Sequence, residues 1–261
     1  MSKPKVLILD IETSPLLNYC WGLFDQTIPL NQIHQDWFVL SWSAKWLGDP
    51  PSKTMYMDQR NAKNIENDKK ILKALWKLMD EADVVISQNG KRFDIPKLNA
   101  RFVSHGFQPP SSFKHIDILQ VTRRKFGFTS HKLEYMTNKL CVKYKKQKHR
   151  KYPGFELWKE CLSGNLDAWQ SMEDYNKYDV LSLEELYNIV IPWDNRINFN
   201  LYTDEETNVC KCGSTKFRSK GYHYTATGKF KRYKCVKCGA EQRSRKNLFT
   251  KEKRQSLRVG S

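Results

Sequence analysis

The chain has no apolar run near the roughly 20 residues that cross a bilayer, and no internal repeat. Its opening Met1-Ser2-Lys3-Pro4-Lys5 leads into a strand that carries acids, unlike a signal-peptide core. These absences exclude a membrane-spanning reading and create the expectation of a cytoplasmic protein. Acids are scarce in one region only. From residue 208 to 261, Glu241 and Glu252 stand against 16 Lys and Arg, whereas the first 207 residues hold 29 bases and 26 acids. A nearly neutral body thus carries a strongly basic tail, and this asymmetry points to a polyanionic partner, with a solvated surface as the alternative. Cysteine is sparse as well. Cys20, Cys141 and Cys161 stand singly, while Cys210, Cys212, Cys235 and Cys238 form two close pairs. Seven is an odd number and the compartment reads as reducing, which favours metal ligation over disulfides.

What is present is the composition of a folded protein: 261 residues, 39% apolar, 28% charged and 13% aromatic. That length predicts one main domain and a small appendage. A strand is predicted over 5–11. Another follows in "DWFVLSWSAKWLG", where Phe38, Leu40, Trp42 and Ala44 alternate with Val39, Ser41, Ser43 and Lys45 before the Gly48-Asp49-Pro50-Pro51 turn. After a short "KTMYM" strand, the spacing of Ile65, Ile71, Leu72, Leu75, Leu78 and Met79 predicts a helix over 61–82. "ADVVISQNG" reads as a buried strand, 95–105 as a helix on Leu98 and Phe102, and 115–121 as extended chain or a short helix. "TRRKFGFTS" reads as an exposed connection, 131–140 as a short helix, and "VKYKKQKHRKYPG" as a loop that meets phosphates or simply faces water. A long helix over 168–190 stops at Pro192. The alternation predicts an α/β domain over 1–192, a linker over 193–207, a cysteine module over 208–245 and a basic tail over 246–261. The stretch from Arg243 to Arg258 is expected to be partly disordered.

Within "VLILDIETSP", period two sends Asp10 and Glu12 to one face of the first strand while Ile11 faces away. Paired carboxylates repel, and a divalent cation is the simplest offset; a surface or turn-capping pair is the other reading. Asp94 sits at the start of a helix, as an N-cap or as a further ligand. Asp179 falls on the apolar stripe of the late helix, where a buried charge is costly unless it is paired or binds metal. Tyr175 lies one turn before it on the same face.

Together "LDIET", "NGKRFDIP" and "YNKYD" resemble the three motifs of the DEDD superfamily of 3'-5' exonucleases, in its tyrosine form. Asp174 occupies the position where the histidine subclass carries His. The resemblance covers about residues 3–190 and extends to the exonuclease domains of family B-like polymerases and to phage and bacterial proteins. The location would be the host cytoplasm if the chain is phage-encoded. It implies a ribonuclease H-like fold, a mixed central sheet flanked by helices. It also implies two Mg2+ or Mn2+ ions held by Asp10, Glu12, Asp94 and Asp179, with Tyr175 orienting the attacking water. Asn89 and Phe93 belong to the second motif as candidate nucleic-acid contacts, with core packing favoured for Phe93 over stacking on a terminal base. His131 and Lys132 are weighed as helix cap and surface charge or as substrate contacts. Asp117 is expected to support the site from behind and is left out of the catalytic set.

The tail reads "CKCGSTKFRSKGYHYTATGKFKRYKCVKCG", two Cys-Gly turns around a predicted β-hairpin. It resembles a zinc ribbon, with one structural Zn2+ on Cys210, Cys212, Cys235 and Cys238. The first pair is one residue shorter than the usual CxxC, and His223 is weighed as a replacement ligand and placed instead on the hairpin surface. Lys216, Arg218, Lys220, Lys229, Lys231, Arg232 and Lys234 interleave with five aromatic residues, a pattern able to meet phosphates and stack on bases. The expectation is a metal-dependent 3'-5' exonuclease that acts on nucleic acid, DNA placed ahead of RNA. A flap- or branch-selective endonuclease and a nucleic-acid-binding factor without nuclease activity are the alternatives.

Overall fold

Val6–Thr13 forms β1, the middle strand of a five-stranded sheet in the computed structural model, which describes residues 4–145, 151–202 and 208–258. Positions 146–150 of the basic loop, 203–207 of the linker and 259–261 of the tail lie outside the described residues. Two compact units divide near Tyr187; one runs from Lys5 to Leu186 and the other contains the chain from Tyr187 onward.

In the larger unit β1 is followed by a two-stranded ladder of β2 (Leu17–Asn18) and β3 (Ile33–Gln35), then by β4 (Val39–Trp46) and β5 (Met55–Asp58). Next come α1 (Lys69–Glu81), β6 (Val84–Ser87), α2 (Asp94–Ser104), β7 (Lys114–Asp117) and α3 (Ile118–Lys125). The short α4 (Leu133–Leu140) and α5 (Glu156–Leu162) precede the long α6 (Leu166–Val190). The sheet order is β5-β4-β1-β6-β7, antiparallel from β5 to β1 and parallel from β1 to β7. Leu7, Leu9 and Ile11 pack with Leu72, Leu75, Leu98 and Phe102 on the α1/α2 side. Phe38 and Leu40 pack with Leu157, Trp169 and Met172 of α5 and α6. Both faces are therefore covered, as an internal sheet with parallel strands requires.

The structure adds to the sequence reading at four places. The polar positions of β4 do not face water: Ser41, Ser43 and Lys45 are fully buried. The Lys45 ammonium pairs with Glu184 of α6 at 2.8 Å, which satisfies a charge that burial alone would make costly. Helix α1 starts at Lys69, eight residues later than its periodicity predicts. Asn64 and Asn67 accept the N–H groups of Glu66 and Lys69, so these Asx contacts compete with helix, and Ile65 packs instead on the α5/α6 side. Thr122 to Lys125 complete α3 rather than form a loop, with Phe126 and Phe128 stacked at 5.2 Å beyond it. In the basic loop, Val142, Lys143 and Tyr144 donate their N–H groups to Glu185, leaving those amides no role toward phosphate. Among the described residues no helix is long and apolar enough to cross a membrane.

The smaller unit carries β8 (Phe217–Thr225), β9 (Gly228–Cys235) and β10 (Glu241–Asn247), in the order β10-β9-β8, followed by α7 (Lys251–Ser256). The third strand and the last helix occupy much of the segment expected to be disordered. β10 exists because Glu241, Gln242 and Arg243 pair with Lys234, Tyr233 and Arg232 of β9. Phe199 is buried within the predicted linker, in a short 3-10 turn.

Candidate metal centre

β1 carries Asp10 and Glu12 on one side, opposite Ser43 and Ser41 of β4. Immediately after Glu12 the register with β4 shifts. Such an irregularity re-aims the end of a strand. α6 supplies Asp179, and one carboxylate oxygen from each of Asp10, Glu12 and Asp179 lies within 4.8 Å of the others. Asp179 is 2% exposed. Three acids at this separation repel strongly unless a cation joins them, and an all-oxygen set suits a hard divalent ion. Tyr175 is hydrogen-bonded to Asp179; burial first, then the charges of Asp179, Glu12 and Asp10, drive its phenol well above the usual range. Its ring meets Trp158 of α5 edge-on at 6.4 Å.

Asp94 is not brought into the three-carboxylate set. The pairing of β1 with β6 ends at Ile8 and Ile86, and farther along Asp94 Oδ1 accepts the Ile11 N–H at 3.2 Å. A carboxylate thus completes the strand between Asp10 and Glu12. Burial pushes the Asp94 carboxyl up to about 7, against the pull of the Asp94 and Ile11 amides, with Asp117 adding to the rise. Gly90 permits this approach: a Cβ there would lie 1.9 Å from Ser87 Oγ and 3.1 Å from Asp94 Oδ2.

The loop before Asp94 is held from behind by Asp117. Its Oδ1 accepts from Asn89 N–H at 2.9 Å and Leu119 N–H at 3.0 Å, and its Oδ2 from Lys91 N–H at 3.2 Å. Asn89 adopts φ of 63°, a left-handed conformation that Asn tolerates better than most residues. Phe93 departs from the core packing favoured for it, being 37% exposed with Lys97 5.9 Å from its ring. His131 offers its backbone carbonyl to Gln88 rather than acting as a helix cap.

Asn176 is a site residue that sequence reasoning misses. It is fully buried beside Tyr175, and its Nδ2 donates to Asp10 Oδ2 at 2.6 Å while its Oδ1 accepts from Ser41 Oγ at 3.4 Å. An asparagine on the apolar stripe, three residues before Asp179, is its only signal. Next to the acids, Thr13, Ser14, Pro15, Phe155 and Trp158 line an open cleft of about 330 Å³.

In the smaller unit one sulfur from each of Cys210, Cys212, Cys235 and Cys238 lies within 4.8 Å of the others. Cys210 and Cys238 approach to 3.5 Å and Cys212 and Cys235 to 3.7 Å. Tetrahedral Zn–S bonds of about 2.3 Å place sulfurs roughly 3.8 Å apart, close to the two separations between the turns. Gly213 and Gly239 take φ of 77° and 76° at the two turns, where a side chain would be strained. Burial raises the Cys235 thiol, but the amides of Cys238 and Lys237 and the neighbouring thiols outweigh it and bring it down to about 7. His223 is exposed on β8, away from any ligand role. Lys216, Arg218, Lys220 and Lys231 are exposed, while Lys229, Arg232 and Lys234 are half-buried. Lys229 lies 4.1 Å from the Tyr222 ring and Arg243 4.2 Å from that of Phe230.

No curated protein matches the chain. Among 127 matching chains of solved structures is the family B DNA polymerase from the hyperthermophilic archaeon Pyrobaculum calidifontis, at 13% identity and a TM-score of 0.41 over 73% of this chain. That similarity takes in 25% of the polymerase, so this chain spans about a quarter of its length. The model of the RNase H superfamily matches residues 47–191, from the end of β4 through α6, with Asp94 and Asp179 inside the match. This is more than half of the 261 residues, and the chain belongs to the RNase H superfamily.

Proposed function

We propose that the protein is a metal-dependent 3'-5' exonuclease that releases nucleoside 5'-monophosphates from nucleic acid, DNA ahead of RNA. The observation that carries this reading is the convergence of Asp10, Glu12 and Asp179 within 4.8 Å, with Tyr175 hydrogen-bonded to the last of them. Their oxygens suit Mg2+ or Mn2+, which when bound lower the pKa of water and offset charge on the phosphate and the departing oxygen. Asp10, on the central strand of the sheet, lies within 4.8 Å of both other acids and would hold the metal together with them. Asn176 and Ser41 fix its rotamer, and Asp94 fixes the backbone between Asp10 and Glu12. Tyr175 stays protonated at neutral pH, so it orients the attacking water by hydrogen bond and does not act as the base. The cleft at Thr13, Phe155 and Trp158 receives the terminal nucleotide, with exposed Phe93 available to a neighbouring base.

The four cysteines hold one Zn2+, whose binding supplies folding energy that so small a unit lacks. The exposed cations of β8 and β9 grip phosphates, with rings beside them for bases. The deciding experiment is hydrolysis of a 5'-labelled single-stranded oligonucleotide with Mg2+ or Mn2+, run beside duplex DNA and RNA. A ladder that shortens from the 3' end supports the reading; discrete internal cuts would replace it with an endonuclease, and no cleavage would remove nuclease function.

A further inference from the structure

Among the described residues of the larger unit, the segment that joins β1 to β4 carries four of the five large apolar side chains that are more than four-fifths exposed. Tyr19, Trp21, Leu23, Phe24 and Leu30 are 66%, 94%, 90%, 82% and 85% exposed. Single exposed apolar residues need no explanation, but five within 12 residues of chain are a concentration that calls for one. The segment is built to project. Only Leu17 with Gln35 and Asn18 with Ile33 pair across its base, helped by the Tyr19 N–H to the Gln32 carbonyl at 2.9 Å. Below that, Ser14 and Phe38 clamp it, the Ser14 N–H donating to Phe38 O and the Phe38 N–H to Ser14 Oγ, each at 2.9 Å.

Two further observations say what meets this surface. First, the chain runs from the candidate active-site cleft into the projection: Thr13, Ser14 and Pro15 line that cleft with Phe155 and Trp158, and they follow directly on Glu12. Second, the surface is almost uncharged in a strongly basic chain. No Lys or Arg occurs from Val6 to Ala44 although the chain has 45 of them, and Asp25 is the only charge between Thr13 and Gln35. Such a surface cannot grip phosphates. It offers aromatic faces, and the faces of unpaired bases are the part of a nucleic-acid strand that such rings complement.

We infer that Tyr19, Trp21 and Phe24 form a stacking platform for unpaired bases of the strand whose 3' end enters the cleft. The inference rests on the nuclease reading and adds the element of this chain that holds the unpaired strand upstream of its 3' terminus. Paired bases already hide their faces in the duplex stack, so a duplex end gains nothing from the platform until it frays.

The test measures fluorescence anisotropy of a labelled phosphorothioate oligothymidylate, and of the same strand with abasic positions upstream of its terminal nucleotide. Both are titrated with the full-length protein and with Trp21→Ala/Phe24→Ala, in Mg2+. Stacking on two rings predicts about 10- to 100-fold weaker binding of the oligothymidylate by the double variant. It also predicts that the abasic strand distinguishes the two proteins by less than about 2-fold, since ring and base are partners in one contact. Trp21→Phe should recover most of the affinity. Both changed positions are more than four-fifths exposed, so the core is not at stake. Equal oligothymidylate affinity in the two proteins overturns the inference and leaves the projection as a docking face for another protein. The nuclease reading is judged separately, by whether the unchanged protein shortens an ordinary phosphodiester strand from its 3' end.

Discussion

Asn176 Nδ2 donates to Asp10 Oδ2 at 2.6 Å, a contact that helps to orient one carboxylate of the acidic cluster. Hydrogen bonds to charged groups are worth about 1.5–3 kcal/mol, or roughly 10- to 100-fold in an equilibrium. Asn176→Ala should weaken Mn2+ binding, measured by calorimetry, by about that factor. Asn176→Asp cannot donate to Asp10 but adds a charge that attracts the ion, so it should recover part of the affinity that Asn176→Ala loses. Binding as tight as in the unchanged protein for both variants would show that Asp10 needs no support.

Asp10→Ala and Asp179→Ala should each abolish nucleolytic activity. Asp179→Asn has a second consequence for stability. In chelator it should raise the Tm of the larger unit by about 2–4 °C, since one of three repelling charges is gone. Added Mg2+ should stabilise the unchanged protein and leave this variant unmoved. Calorimetry in EDTA and in Mg2+ provides both readings.

Tyr175→Phe keeps the ring against Trp158 and loses only the hydroxyl. Activity should fall by about 10- to 100-fold while Mn2+ binding stays within a factor of two, on the scale expected for removing one orienting group. A fall in metal affinity as large as the fall in rate would reassign Tyr175 to holding the carboxylates.

Asp94 links pH to stability. Its folded-state pKa near 7 lies above the unfolded value near 3.9, so the folded protein binds the proton more tightly. Its contribution is therefore fully present below about pH 4 and is lost as pH rises through about 7. In chelator, urea midpoints should fall between pH 5 and pH 8, and Asp94→Asn, which stays neutral throughout, should flatten that slope. An unchanged slope in the variant would assign the dependence elsewhere.

Zinc removal should unfold the three-stranded unit and leave the larger unit folded, with two separate changes by circular dichroism and by Tm. Metal analysis should return one zinc per chain, and Cys235→Ser should lose it. Nucleic-acid affinity should then drop, and the log-log salt dependence should become shallower by about 0.7 for each phosphate that is no longer neutralised on a single strand.

Much of the site is legible in the order of the amino acids alone. Asp10 and Glu12 share a face because a strand repeats every two residues, and Tyr175 and Asp179 share one because a helix turn is close to four. The grouping of Cys210 with Cys212 and of Cys235 with Cys238 is legible from spacing alone. These are local facts, fixed by backbone geometry within a few residues. Contacts between elements far apart in sequence are not legible. Asn176 reaches Asp10 across 166 residues, and Asp94 takes the Ile11 amide across 83, each through the packing of a helix on the sheet. The burial of Ser41 and Lys45 beneath α6 has the same cause: alternation tells which residues share a side of a strand, and only the neighbouring layer tells whether that side meets water. The third strand of the cysteine unit exists because β9 had a free edge to offer it. The amino-acid sequence by itself determined which acids and thiols stand together on one element; the tertiary structure decided which distant groups hold them in place, because those contacts form only once separate elements are packed.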